Sequence, residues 1–173
     1  MHIQLIDVLS QDGQVLHREI PLELDTVEAG AERFVLSEKS PVTVDITHMS
    51  GRVLHIEARC QVSAMIPCGR CLEEVGRTFS VSISREVDMK KMETEQGLDE
   101  YSLITGTELD VDRMIHNELL VQWPLRVLCR EDCKGMCSRC GTNLNYHNCD
   151  CEKQSLDPRM AAISDIFSKF KEE

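Results

Sequence analysis

Nine cysteines in 173 residues are the side chains with the most chemistry to offer, and six of them fall between Cys129 and Cys151. In that stretch, CREDCKGMCSRCGTNLNYHNCDC, the cysteines are separated by 3, 3, 2, 8 and 1 residues. The segment Cys137-Ser138-Arg139-Cys140-Gly141 has the form of a zinc knuckle. Zn2+ prefers four thiolate or imidazole ligands at tetrahedral corners, and a CxxC turn brings two sulfurs to one ion. The glycine after the second cysteine removes a side chain where the turn tightens. Cys149 and Cys151 supply a second pair, so Cys137, Cys140, Cys149 and Cys151 form one local set. Cys68-Gly69-Arg70-Cys71 is a further CxxC upstream. Cys60 lies inside an apolar alternating series and reads as a small buried hydrophobe. Removing it leaves two sets of four, the second being Cys68, Cys71, Cys129 and Cys133. That second set would pin the cysteine-rich tail to the upstream CxxC. One zinc only, or a site that borrows His147, are the alternatives.

A zinc held by four cysteines has no open position for a water nucleophile, so such sites are structural. No Ser/His/Asp order, Gly-rich phosphate loop or HExxH segment accompanies them. The expectation is a protein that is not an enzyme. Disulfides are the competing use of cysteine. The first residues, MHIQLIDVLSQDG, show no basic segment followed by an apolar one, as a secretory signal would. No run of 18 apolar residues suggests a membrane span. A cytoplasmic location is expected, and there an odd number of cysteines favours metal over cross-links.

The elements that must position these cysteines are mostly strands. Residues 3–8 and 15–24 read as two strands of a hairpin turned at Gln11-Asp12-Gly13. Asp25 to Ser40 carries no firm signal. Val42, Val44 and Ile46 alternate with polar residues as in a half-buried strand. The clearest strand places Leu54, Ile56, Ala58, Cys60, Val62, Ala64 and Ile66 on one face and His55, Glu57, Arg59, Gln61 and Ser63 on the other. After Pro67 comes the CxxC, and then Phe79, Val81 and Ile83 alternate with serines. The pair Cys68/Cys71 therefore sits at the tip of an antiparallel hairpin. A thioredoxin-like site would place it between a strand and a helix. Asp110 can cap a helix carrying Val111, Met114, Ile115, Glu118, Leu119 and Gln122 at helical spacing, ending before Pro124. Trp123-Pro124-Leu125 is expected to pack that helix on the sheet. Asp157-Pro158 opens a second helix with Ile163, Ile166, Phe167 and Phe170 on one stripe.

The fold expected is α+β, an antiparallel sheet of about five or six strands that could curl toward a barrel, with short helices. Residues 1–128 would form a β-rich core with an acidic insertion near 86–112. Residues 129–173 would form the zinc-binding tail and a final helix packed on the core.

Charge narrows the partners. The net charge is −11, with 30 acidic against 19 basic residues, and aromatics are only 4%. A broad phosphate-binding surface needs dense positive charge, and a base-stacking platform needs aromatics. Contact with RNA would therefore be local or through a protein. Arg70, and Arg126, Arg130, Lys134, Arg139, Lys153 and Arg159 around the cysteine-rich tail, are the candidates for phosphate or partner contact. The stretch from Glu86 to Asp112 reads as a solvated acidic loop, or more sharply as a surface for a basic ribosomal protein.

CGRCLE (Cys68 to Glu73), LCREDCKGMCSRCGTNLN (Leu128 to Asn145), CDC (Cys149 to Cys151) and DPRMA (Asp157 to Ala161) resemble, in order, the bacterial YceD family. That family is also called the large ribosomal RNA subunit accumulation protein. The resemblance implies a non-enzymatic role in accumulation or processing of large-subunit (23S) ribosomal RNA, and hence in large-subunit assembly. It implies a large-subunit rRNA precursor or a ribosomal protein as partner; the residues themselves suggest no membrane and no small-molecule substrate. Some members lack most of the downstream cysteines and retain a CxRC pair, which makes Cys68, Arg70 and Cys71 the shared feature. The readings from other classes are a thiol redox protein using Cys68 and Cys71, and a zinc-stapled adaptor that binds basic proteins through its acidic stretch.

Overall fold

A computed structural model describes residues 1–89 and 103–151. The C-terminal helix expected from Asp157 onward, and Arg159 with it, lie outside the described residues, as do residues 90–102 of the acidic stretch near 86–112.

Two antiparallel strands carry the fold. β6 (Val53–Pro67) and β7 (Glu74–Asp88) pair along their whole length, from Val53 opposite Asp88 to Pro67 opposite Glu74. Their inward residues meet in register, with Cys60 across from Val81 and Val62 across from Phe79. Residues 54, 56, 58, 60, 62, 64 and 66 are all buried, as the period of 2 in the sequence requires. Each large aliphatic side chain so buried contributes about 1.5–3 kcal/mol relative to exposure.

β6 also pairs with β5 (Val42–Met49) and β4 (Glu32–Lys39). A strand has two edges, and β7 occupies one along the full length of β6. β4 and β5 therefore share the other, with a register shift in β4 between Leu36 and Glu38. β2 (Val15–Ile20) extends the sheet beyond β5, and β3 (Thr26–Ala29) extends it beyond β4. The six strands form an open antiparallel sheet, and it does not close into a barrel. The curl toward a barrel expected from sequence is thus corrected. Closure needs the end strands to pair with each other, and β2 and β3 end the path instead.

A second sheet of three short strands was not legible in the sequence. β1 (His2–Gln4) pairs with β9 (Glu108–Asp110), which pairs with β8 (Ile104–Thr105). The expected hairpin between residues 3–8 and 15–24 does not form. The chain leaves β1 after Gln4 and makes one helical turn, α1 (Ile6–Leu9), that buries Leu5 and Val8 completely. Gly13 does turn the chain, at φ +81°, but it joins α1 to β2, and β2 pairs with β5.

The helix α2 (Val111–Gln122) forms where the sequence places it. Asp110 Oδ1 accepts the Arg113 backbone N–H at 3.1 Å, satisfying one of the donors a helix N-terminus leaves open. Val111, Met114, Ile115 and Leu119 are its buried stripe. Trp123 ends it in an extended conformation, the geometry preferred before Pro124. The indole stacks on Phe79 at 5.1 Å and lies tilted to Phe34 at 4.9 Å. Helix and sheet are thereby joined through one aromatic group.

The chain divides into two compact units. The first is Met1–Gly69 with Glu73–Cys129, and the second is Arg70–Leu72 with Arg130–Glu173. The hydrophobic core, from Ile3 to Val127, belongs to the first. Among the described residues no helix is long and apolar enough to cross a membrane.

Candidate metal centres

The tip between β6 and β7 is built by one local and one long-range backbone bond. Cys68 N–H donates to Glu73 O at 2.8 Å, and Gly69 N–H donates to Val127 O at 2.8 Å. The Arg126 side chain lies over Gly69, so that a Cβ there would stand 3.1 Å from Arg126 Cγ. Leu72 closes the turn at φ +62° with its side chain largely exposed. A leucine rarely adopts that backbone, and it costs about 1–2 kcal/mol.

The tripeptide Arg70–Leu72 is held by residues of the second unit. Arg70 O accepts the Met136 N–H at 3.1 Å. The Arg70 guanidinium donates through Nη1 to Cys133 O at 2.8 Å and to Glu131 O at 3.3 Å. Gly135, at φ +80°, leaves room for this approach, because a Cβ there would lie 3.1 Å from Arg70 O. Asn145 clamps the same turn from its side chain. Its Oδ1 accepts the Lys134 N–H at 2.8 Å, and its Nδ2 donates to Cys133 Sγ at 3.3 Å.

Downstream, Met136 and Asn143 form an antiparallel bridge that makes the knuckle a tight hairpin. Cys137 N–H donates to Thr142 O at 2.8 Å, and Gly141 N–H donates to Cys137 O at 2.9 Å. Gly141 takes φ +71° at the tightest point. The Thr142 hydroxyl lies 3.1 Å from Cys140 Sγ.

These local structures gather eight sulfurs into two groups. The Sγ atoms of Cys68, Cys71, Cys129 and Cys133 all lie within 4.8 Å of one another, and so do those of Cys137, Cys140, Cys149 and Cys151. None of the nine cysteines forms a disulfide. Four sulfurs around one zinc at about 2.3 Å stand about 3.8 Å apart, so each group fits a tetrahedral thiolate site with little adjustment. Each could hold a metal ion. Cys60 stays apart in the apolar core, where burial pushes its thiol up to about 11. His147 belongs to neither group.

The electrostatics of the downstream group show what crowding four thiols does. The Thr142 hydroxyl and backbone N–H, and then Cys137, lower the Cys140 thiol to about 6. Backbone N–H groups of Cys140 and Arg139, with Cys149, lower Cys137. The protons stay instead on Cys149, raised chiefly by its hydrogen bond with Cys137, and on Cys151, pushed up to about 12 chiefly by Cys140. The four sulfurs thus share protons as one coupled system. A divalent cation is the natural replacement for those protons, since thiolates are the metal-binding form.

The basic residues singled out from sequence are placed as follows. Arg70 spends its guanidinium on backbone carbonyls, as above. Arg126 is exposed and covers Gly69. Arg130 is exposed, with Nη2 3.5 Å from Asn145 O and Nε 3.4 Å from Asp132. Lys134 and Arg139 have exposed side chains. Asn145 and Thr142 are the partners that sequence reasoning missed. A signal was present for Thr142, a short polar side chain two residues from Cys140 and able to reach sulfur, but not for Asn145, which is twelve residues from the sulfur it bonds.

Comparison with known proteins identifies relatives. The family model described as "Large ribosomal RNA subunit accumulation protein YceD" matches residues 55–167, more than half of the chain. The chain is 30% identical over 59 residues to the chloroplastic YCED homolog 1 of Arabidopsis thaliana, covering 34% of this chain and 18% of that one. It is 26% identical over 148 residues to an uncharacterised protein of Mycobacterium leprae, covering 80% of this chain and 65% of that one. An uncharacterised protein of Mycobacterium bovis is 26% identical over 101 residues, covering 57% and 48%. The chain thus spans less than two thirds of the length of each of these relatives. No solved structure matches it.

Proposed function

The chain belongs to the YceD family, and from that premise we propose that it is a non-enzymatic, zinc-stabilised factor for the accumulation of large-subunit ribosomal RNA. The observation that carries this reading is the extent of the family match, residues 55–167. It takes in the β6–β7 tip and every cysteine of both four-sulfur groups. The family is named for large ribosomal RNA subunit accumulation, a role in RNA supply and not a reaction.

Zinc is the metal proposed for both groups. All-sulfur tetrahedral donor sets suit Zn2+, and hard cations such as Mg2+ or Ca2+ prefer oxygen. A bound ion would supply cross-linking of distant chain segments. The residues around it hold the turns in place: Arg70 and Asn145 fix the Cys133 segment, and Thr142 orients Cys140. The burial of Cys68 and Cys71, in company with two further sulfurs, speaks against the thiol-redox reading, because reactive thiols are accessible ones.

The partner proposed is the large-subunit rRNA precursor or a ribosomal protein on it, in the cytoplasm of a bacterial cell. With a net charge of −11, unspecific attraction to RNA phosphates is weak or repulsive. Contact is therefore confined to local basic positions, of which Arg126, Arg130, Lys134 and Arg139 are exposed. Gradient sedimentation of lysate under growth conditions tests this. Migration with large-subunit precursors is expected, and recovery only as free protein at the top of the gradient would refute it.

A further inference from the structure

The two sulfur groups differ in a way that bears on how each would keep an ion. In the first, Cys68 is 0%, Cys71 4% and Cys133 3% exposed, and only Cys129 is half-buried. In the second no cysteine is buried, and Cys140 is exposed. The backbone around them differs too. Cys133 is held by bonds from residues far away in sequence, Arg70 and Asn145, and Gly69, next to Cys68, bonds to Val127 O. Apart from contacts among the four sulfurs, the bonds of Cys137 and Cys140 run within the six residues from Cys137 to Thr142. Cys149 and Cys151 follow on a segment without helix or strand. A ligand in solution can reach a sulfur-bound ion only where a sulfur is accessible or the chain opens locally, and short-range loops open at lower free energy than braced, buried ones.

Resting on the zinc reading above, we propose that the Cys137/Cys140/Cys149/Cys151 centre exchanges its zinc with thiols and chelators in solution, while the Cys68/Cys71/Cys129/Cys133 centre retains its own. Exchange begins at Cys140, the most accessible sulfur. An incoming donor takes its place on the ion, and Cys140 leaves as a free thiolate; no electrons are transferred. The protein would then have one permanent ion and one whose occupancy follows the zinc available around it.

The test uses the full-length protein purified without chelators. Native mass spectrometry gives the number of ions, and excess EDTA is then added and the ion count followed with time. Alkylation by iodoacetamide at each time point, mapped by peptide mass, reports which cysteines have been uncovered. Two ions leaving in separate phases are expected, at rates at least about tenfold apart, a difference of about 1.4 kcal/mol in barrier. Label should fall first on Cys137, Cys140, Cys149 and Cys151. Cys140→Ser should carry one ion, with no fast phase. A protein purified with one ion, and with the downstream cysteines already open to label, is the same result at its extreme. Two ions leaving together, or label appearing first on Cys68 and Cys71, would overturn the inference and leave the zinc reading standing. A protein carrying no zinc would overturn both.

Discussion

Arg70 shows how one side chain's role changes once its surroundings are known. From sequence, an arginine between two cysteines is equally a phosphate contact or a structural donor. In the structure its guanidinium reaches Cys133 O and Glu131 O, and a charged donor to a carbonyl is worth about 1.5–3 kcal/mol. Arg70→Ala should therefore lower the denaturant midpoint of the zinc-loaded protein by a loss of about that size. An unchanged midpoint with weakened RNA association would return Arg70 to the binding surface. Leu72 makes a second case, because its positive φ is invisible in a sequence where glycine would announce it. Leu72→Val should destabilise by about 1–2 kcal/mol, since a β-branch fits that backbone worse. Leu72→Gly should cost much less, the lost side chain being exposed. Comparing the two midpoints decides it.

The thiols give the pH dependence its sign. Cys140 is depressed to about 6, so the contribution of its thiolate is present above its ordinary pKa and is lost as pH falls through about 6. Cys149 and Cys151 are raised and stay protonated at neutral pH until an ion displaces their protons. Zinc binding should therefore release protons, more of them near pH ~6 than near pH ~8, and acid should strip the ion. Calorimetry in buffers of different ionisation enthalpy measures this. Proton release that does not change with pH would contradict it.

Among the elements, those with a strong internal period were legible and those made by distant pairing were not. β6 announces itself through seven alternating apolar residues, and β7 follows because its own alternation meets β6 across a tip of six residues. α2 is marked by Asp110 at one end and Pro124 at the other. β1, β8 and β9 are only two or three residues long, and β1 and β9 meet across a hundred residues of chain. No local pattern encodes that pairing. The hairpin expected at Gln11-Asp12-Gly13 failed for a related reason: the turn is real, but tertiary burial of Leu5 and Val8 drew the preceding residues into a helical turn. Trp123, in contact with Phe34 and Phe79, is where helix and sheet depend on each other. Trp123→Ala should cost about 3–5 kcal/mol and Trp123→Phe distinctly less, read from thermal unfolding. Equal losses for the two variants would mean that area alone matters there.

On the scale of the whole molecule, the arithmetic of eight cysteines in two sets of four was available from spacing, and the structure groups the same eight sulfurs. What spacing could not supply is the difference in burial between the sets. The function follows from neither. The proposal rests on membership of a family named for large ribosomal RNA accumulation, on a net charge of −11 that disfavours broad phosphate binding, and on thiol sites that could hold metal. The measurement that tests this most directly is the ratio of large- to small-subunit ribosomal RNA in host cells depleted of the protein and complemented with wild type or with Cys68→Ser/Cys71→Ser. The ratio should fall on depletion, recover with wild type and stay low with the double variant. A ratio unchanged by depletion would contradict the account.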